Sequence, residues 1–462
     1  MAIEIHHGSD LWPIEVTTRD QLKSDGRALR KQVSRPTFAR YVAHDRDPLA
    51  ILQEQNERRV QSLIPLRMGR MLVSPFTFYR GSAAIMAADL AHAPTTGIEI
   101  VACGDAHLSN FGFFASPERD LVFDLNDFDE ASLAPWEWDL KRLVTSVVIG
   151  SRESGLDEAT TVDAALQTAT AYRLKLRELV SLSVLDRYYH RLMLGSASGD
   201  LSPRARKVVA KAERQAHRRT SAAFVRKVTR VNSAGVRELI EDPPVLTHVP
   251  EMAEERLTAL FERYRSTVPA DIALLLSQFT LTDLAMRVVG VGSVGTRCYI
   301  LLLTGPNNEP LVLQVKEAQP SVLRVYGHHE PVQPDERIHE GHRVVANQRI
   351  LQAVSDPFLG HLQVAGRDFY VRQFRDMKSS IDTSRLTAAE YGRYGQACAR
   401  LLARGHVQSS NSPMIAGYLG TSPSFDSAMV EWALAYADQS LADYRILKAA
   451  VDSGEIEALA VP

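Results

Sequence analysis

Between residues 286 and 317 the hydrophobic pattern of the chain switches period. RVVG, TRCYILLL and LVLQVKEA are runs of β-branched, aliphatic and aromatic residues broken by GVGSVG and by the turn-forming TGPNNEP, an arrangement that predicts an antiparallel meander. Much of the remaining chain has helical spacing instead. That spacing starts at WEWDLKRLVTSVVIGSRESG and continues through DEATTVDAALQTATAYRLKLRELVSLSVL to the basic segment RARKVVAKAERQAHRRTSAAFVRKVTR. It resumes after the meander in ERIHEGHRVVANQRILQAV, expected as one helix over 335–353, and in the last hundred residues. DFYVRQF reads as a further strand. Towards the N-terminus, DRDPLAILQEQNERRVQSLIPLRMGRML reads as a single helix leading into SPFTFYRG, where burial begins. IEIVACGDAHLSNFGFF followed by LVFDLNDFDE reads as strand, polar loop, strand. Strands grouped among long helical stretches place the chain in the α+β class.

Composition narrows the function classes. With 45% hydrophobic and 23% charged residues the 462-residue chain is a folded globular protein. A net charge of −2 gives no global field towards nucleic acid or an anionic membrane. The basic stretch 204–230 has no interleaved aromatics for stacking, so it reads as a solvated helix face and nucleic acid is not expected as a partner. Cys103, Cys298 and Cys398 lie far apart without zinc-ligand spacing. Neither an export signal nor 18 consecutive apolar residues occurs, so a cytoplasmic protein without a membrane partner is expected. The oligomeric state stays open.

Three constellations carry chemistry. In GDAHLSNFG, Asp105 and Asn110 sit on a loop between apolar runs, and Asp124, Asp127 and Asp129 follow on what reads as the next strand. A carboxylate that accepts a hydroxyl proton, with an Asn oxygen and a second carboxylate on Mg²⁺, are the parts phosphoryl transfer needs. Asp127 and Asp124 are both candidates for that second carboxylate. GVGSVG, with Gly290, Gly292, Ser293 and Gly295, precedes a strand rather than a helix, so it reads as a hairpin turn able to lay N–H groups over phosphates. Lys316, about 20 residues on, shares a strand face with Val312 and Gln314 and is placed to hold phosphates. Glu340, or Glu336 one turn earlier, is expected to pair with Lys316. Cys103 reads as a buried inert thiol, and His107 as shaping its loop rather than reacting.

GDAHLSN resembles the GDxHxxN loop of the aminoglycoside and choline phosphotransferase branch of the protein-kinase-like superfamily, and NDFDEASLAPWEWDLKRL resembles that branch's IDWxDA…DPxxDLA segment. VVGVGSVGTRCYILLL…LVLQVKEA is similar to the glycine loop and lysine strand of protein kinases. The whole chain also looks like an uncharacterised bacterial family near that superfamily. The resemblance implies that Asp105 is the catalytic base, that Asn110 and Asp127 are metal ligands, and that Asp139 is a structural acid heading the next helix. Two departures stand out. Cys103 replaces the usual His before Gly-Asp, and the catalytic loop precedes the glycine loop by nearly 180 residues, the inverse of the kinase order. A circular permutation accounts for that inversion, and it sets the helix YGRYGQACARLLARGH beside the catalytic loop in space.

The expectation is therefore an α+β, bilobal protein-kinase-like fold with permuted lobe order and a helical insertion. Residues 1–149 carry the catalytic loop and metal strand, 150–282 form a helical elaboration, 283–378 form the meander lobe, and 379–462 are helical. ATP and Mg are the expected cofactors, with adenine against residues 369–377. The expected activity is phosphoryl transfer to a hydroxyl of a small-molecule acceptor. Nucleotidyl (AMP) transfer and a nucleotide-binding pseudokinase scaffold are the alternatives.

Overall fold

The computed structural model describes residues 17–190, 203–218, 221–233, 235–243, 245–248, 254–288, 294–327, 339–374 and 377–459. Its strands in chain order are β1 (Glu99–Ala102), β2 (Phe111–Ala115), β3 (Leu121–Leu125), β4 (Ser132–Pro135), β5 (Thr229–Val231), β6 (Arg237–Leu239), β7 (Leu246–His248), β8 (Thr280–Arg287), β9 (Cys298–Thr304), β10 (Pro310–Glu317), β11 (Gly360–Val364) and β12 (Arg367–Gln373). The meander expected from 286–317 is realised in β9 and β10, but its first strand, expected at RVVG, runs earlier as β8, partly in the stretch expected to be helical; the three are the centre of a six-stranded antiparallel sheet in the order β11-β12-β10-β9-β8-β7. Strand β10 runs through its middle and is buried at every position after Pro310. Such a strand needs cover on both faces. One face, with Leu313, Val315 and Val371, packs on Phe261, Tyr264 and Leu276; the other, with Ile300, Leu302 and Val312, packs on Phe224, Val225 and Leu246.

The stretch 150–282 thus divides between two parts of the protein. It is not wholly helical, since β5, β6 and β7 lie in it and β7 joins the sheet; the helices Ser221–Val228 and Glu254–Arg265 pack on the sheet, whereas the helix Glu158–Ser181 packs along the helix Ala388–His406 in a larger core. At the centre of that core is the helix Trp136–Glu153, buried from Trp136 through Ser151. Trp136 stacks on Tyr172 with ring centroids 5.8 Å apart. A helix buried all round is normally apolar throughout. This one carries Glu137, Asp139, Lys141 and Arg142 inward, and each is partnered: Glu137 accepts from Thr96 N at 2.7 Å, and Lys141 lies 4.5 Å over the Trp432 ring. Asp139 and Arg142 belong to the site.

The single N-terminal helix expected over DRDPLAILQEQNERRVQSLIPLRMGRML is interrupted. Helices Pro48–Glu57 and Ile64–Met71 flank a 3₁₀ turn at Gln61–Leu63. Pro65 suits the first turn of a new helix, and the residues between turn away to bond elsewhere: Arg59 Nη1 donates to Val294 O at 2.7 Å and Val60 N to Gly295 O at 2.8 Å. SPFTFYRG forms the helix Pro75–Gly81, started by a Ser74–Thr77 capping box. Among the described residues no helix is long and apolar enough to cross a membrane.

Candidate functional site

Strand β1 delivers the backbone into Cys103-Gly104-Asp105. Gly104 has φ 80°, and a Cβ there would meet Glu130 O at 2.4 Å, so only glycine fits. The loop hangs from Asp139, whose carboxylate accepts from Cys103 N at 2.6 Å and Gly104 N at 2.8 Å. His406 Nε2 lies 3.0 Å from the same carboxylate, and its Nδ1 is 2.8 Å from the Tyr172 hydroxyl. The helix Ala388–His406 therefore does lie beside the loop, and its Tyr394 hydroxyl donates to Leu108 O at 2.9 Å. An imidazole reaches this place from 303 positions further along the chain, while Cys103 is fully buried and burial pushes its thiol well above the usual range. His107 is buried too. Burial, then Arg80 and Arg142, holds its ring neutral.

Asp105 Oδ1 accepts from Arg142 Nε at 2.9 Å and lies 2.7 Å from Nη2. Arg142 is itself fixed by Tyr79 O at 2.6 Å and by stacking 4.0 Å over the Tyr79 ring. With Oδ1 committed, Oδ2, which lies 3.5 Å from His107 Nε2, is the oxygen left to accept a proton. Burial pushes this carboxyl above its usual value, with Arg142 pulling the other way. Asn110 is anchored through Nδ2 to Asp105 O at 2.7 Å, which leaves its Oδ1 as the atom it can offer a cation.

The acidic run separates by environment. Strand β3 ends at Leu125, so Asp127, Asp129 and Glu130 lie on the loop before β4 and not on the strand that was expected. Asp124 is buried in the strand and accepts from Ala353 N and Leu125 N, both at 2.9 Å, which removes it from the cleft. Asp127 is the one that faces the site. Its Oδ1 is buried without a hydrogen-bond partner among the described residues, and burial together with the Asp129 charge pushes its carboxyl up.

The expected pairing of Glu340 with Lys316 is not what forms. Glu340 is held by Arg324 and by Arg343 Nε, and the Lys316 ammonium pairs with Asp129, whose other oxygen accepts from the Tyr370 hydroxyl at 2.7 Å. The reason is geometric. Arg343, one turn beyond Glu340, donates to Asp129 O and Gln319 O at 2.9 and 2.8 Å, so the helix Glu340–Leu351 grips the acidic loop and swings Asp129 to Lys316. Burial opposes ionisation of Asp129, but Lys316 outweighs it and holds that carboxyl below the usual range.

A cleft of about 440 Å³ lies at the Asp105 loop. It is lined by the acids Asp105, Asp127, Asp129 and Glu130 and by the N–H-bearing side chains Gln55, Arg59 and Arg80. None of these three, nor Asp129 as a partner, was singled out by sequence reasoning, although SPFTFYRG contains Arg80. Gly290, Gly292 and Ser293 lie outside the described residues. Gly295 has φ 86°, and its carbonyl and that of Val294 are tied to Val60 and Arg59, so the end of the glycine stretch abuts the cleft. Among the described residues no three His, Cys, Asp or Glu side chains are arranged to hold a metal ion. The donors that fit one are the unpartnered Asp127 Oδ1 and Asn110 Oδ1. The sheet face beside residues 369–377, expected to receive adenine, is filled: Phe224 packs edge-on to Phe374 at 4.7 Å over Ile300, Leu302 and Val312. A larger cavity of about 700 Å³ lies on the opposite sheet face, lined by Phe261, Leu281, Leu301, Val315 and other apolar groups, away from every acid named above.

Glu130 gives the cleft a pH signature. Burial raises its carboxyl from the ordinary 4.5 to about 7, while Val322 N donates to it at 2.7 Å. Between pH 4.5 and 7 the folded state holds a proton that the unfolded state has released, so stability falls as pH rises through that window. Glu130→Gln should therefore unfold at a higher temperature than wild type above pH 7 and at the same temperature near pH 4.5. An equal gap at both pH values would contradict this.

No curated protein and no solved structure matches the chain. The chain belongs to the family described as an uncharacterized protein conserved in bacteria (DUF2252), whose model matches residues 59–450.

Proposed function

We propose that the protein is an ATP- and Mg²⁺-dependent phosphotransferase acting on a hydroxyl of a small molecule, built on a kinase-like fold of permuted order. The observation that carries the reading is that Asp105, Asp127 and Asp129 line one cleft and that Asp129 pairs with Lys316, which comes from a motif 187 residues further along. In support, the lysine is on the third strand of the glycine-punctuated meander β8-β9-β10, as in protein kinases. Asp105 Oδ2 takes the proton of the acceptor hydroxyl as that oxygen bonds to the γ-phosphorus and the bond to the β-phosphate oxygen breaks. ADP, the phosphorylated acceptor and one proton are the products. Lys316 carries the charge for the nucleotide's phosphates, and Asn110 and Asp127 would hold Mg²⁺. Bound there, Mg²⁺ supplies neutralisation of the phosphate oxygens.

A nucleotide-binding scaffold has two observations in its favour: Lys316 is committed to Asp129, and Phe224 covers the sheet face beside it. Calorimetry with Mg·ATP separates the cases. Removing Lys316 alone would strand a buried Asp129 charge, so the pair is replaced together as Lys316→Met with Asp129→Asn. That variant should bind Mg·ATP at least tenfold more weakly without losing its fold, and Phe224→Ala should bind more tightly than wild type. Affinities equal to wild type in the double variant would overturn the reading. Turnover with a mass gain of one phosphoryl group on the acceptor distinguishes an enzyme from a scaffold and from a nucleotidyl transferase.

A further inference from the structure

The cleft is lined by two sets of polar groups of opposite chemistry, and the phosphotransferase reading uses only the acids. The others are Gln55, Arg59 and Arg80. Arg80, on the helix Pro75–Gly81, has no hydrogen bond and no carboxylate within ion-pair distance among the described residues; its Nε is buried and unpartnered. Arg59 commits Nη1 to Val294 O and keeps a buried Nε without an acceptor. Gln55 accepts from Arg67 Nη2 at 3.1 Å through Oε1. Arginine is donor-only, so that bond fixes the amide's orientation and leaves the Gln55 NH₂ group to donate. All three side chains thus present N–H groups and none presents an acceptor.

Buried donors without acceptors are rare in folded proteins, because leaving them unpaired is costly. Arg80 is not there to neutralise Asp105, which Arg142 already engages with two nitrogens. The charges acting on its guanidinium are those of Asp105 first and Asp127 second. The guanidinium is thus nearest in charge to the proposed base, where the phosphotransferase reading puts the acceptor.

We propose that Arg80, with Gln55 and Arg59, seats an anionic group carried by the acceptor, so that the substrate is a small hydroxyl compound already bearing a phosphate or a carboxylate. The word acceptor rests on the phosphotransferase reading; the oxyanion seat does not. A guanidinium matches both anions through paired N–H donors.

Inorganic phosphate and acetate are titrated into wild type, Arg80→Gln and Arg80→Lys by calorimetry, with thermal unfolding of each variant alongside. Wild type should bind one of the two anions. Arg80→Gln should weaken that binding at least tenfold, about 1.4 kcal/mol, while unfolding no earlier than wild type, and Arg80→Lys should fall between. Preference for phosphate assigns a phosphorylated acceptor, and preference for acetate a hydroxy acid. Equal anion affinity in wild type and Arg80→Gln, or no binding of either anion by wild type, overturns the seat. The titration is repeated on protein saturated with Mg·ATP. Anion binding that persists supports an acceptor seat, and anion binding that is competed away overturns it while leaving the phosphotransferase reading intact. Arg80-dependent anion binding by a protein with no affinity for Mg·ATP sinks that reading and keeps the seat.

Discussion

Asp105→Asn is expected to keep Mg·ATP affinity and lower turnover roughly 10²- to 10⁴-fold, the usual contribution of a general base. The substitution is nearly isosteric. An Asn Oδ1 can still accept from Arg142, which lies 2.7–2.9 Å from the native oxygen, so the loop keeps its anchor and only the proton acceptor is lost. The measurement is the rate of ADP formation with an acceptor drawn from a screen of hydroxylated anions, paired with calorimetry on the same samples. A rate within tenfold of wild type would remove Asp105 from the chemistry. A parallel loss of nucleotide affinity would instead mean that the carboxylate acts through the cleft's electrostatics. Arg142→Lys complements the test: a point charge cannot reproduce the guanidinium's pair of bonds, so that variant should disturb the position of Asp105 while leaving its basicity available.

Asp139→Ala should be the most destabilising single change in the site, costing about 3–5 kcal/mol in urea unfolding, as expected when one partner of a buried charged cluster is removed. Alanine would leave Cys103 N, Gly104 N and His406 Nε2 without their acceptor in a region where Asp139 and His406 are both almost fully excluded from solvent. Each stranded donor costs roughly 1–3 kcal/mol, with relaxation absorbing part of the sum. His406→Ala strands only the Tyr172 hydroxyl and one carboxylate lone pair, so it should cost less than Asp139→Ala. A loss below about 1 kcal/mol for Asp139→Ala would show that the loop is held by something else. Activity in Asp139→Ala should fall with the fraction of ordered loop, in contrast to Asp105→Asn, which folds and binds but does not turn over.

Wherever local pattern decides structure, the amino-acid sequence was enough to find it. Alternation with turn residues placed β9 and β10 and put Lys316 on the strand; the polar break in IEIVACGDAHLSNFGFF placed the Asp105 loop; and the helical spacing from WEWDLKRL placed the helix whose first turn carries Asp139. The 335–353 helix was legible as well, with the observed Glu340–Leu351 inside it. The errors fall where a residue's partner is chosen by packing between distant segments. Glu340 is at a sensible spacing from Lys316, yet Arg324 and Arg343 take it, because an arginine one turn along the same helix is closer than any strand lysine. Asp124 and Asp127 look alike in sequence, and only the end of β3 at Leu125 puts one against Ala353 and frees the other.

What the chain determined by itself is where β9, β10, the Asp105 loop and the long helices lie, and the chemical identity of the groups on them, since hydrophobic period and turn residues act within a few residues. Only the tertiary structure decided which groups meet. Asp129 finds Lys316 across 187 positions, His406 supports Asp139 across 267, and Arg59 ties the N-terminal segment to the glycine stretch across 235. The physical reason is that a buried charge or donor must be satisfied by whatever the packed core brings within about 3 Å, and proximity in a core built from both ends of the chain has no signature in local sequence. The donors Gln55, Arg59 and Arg80 show this most plainly: three polar residues on separate local elements, unremarkable in the sequence, line one cleft with Asp105 only in the folded chain.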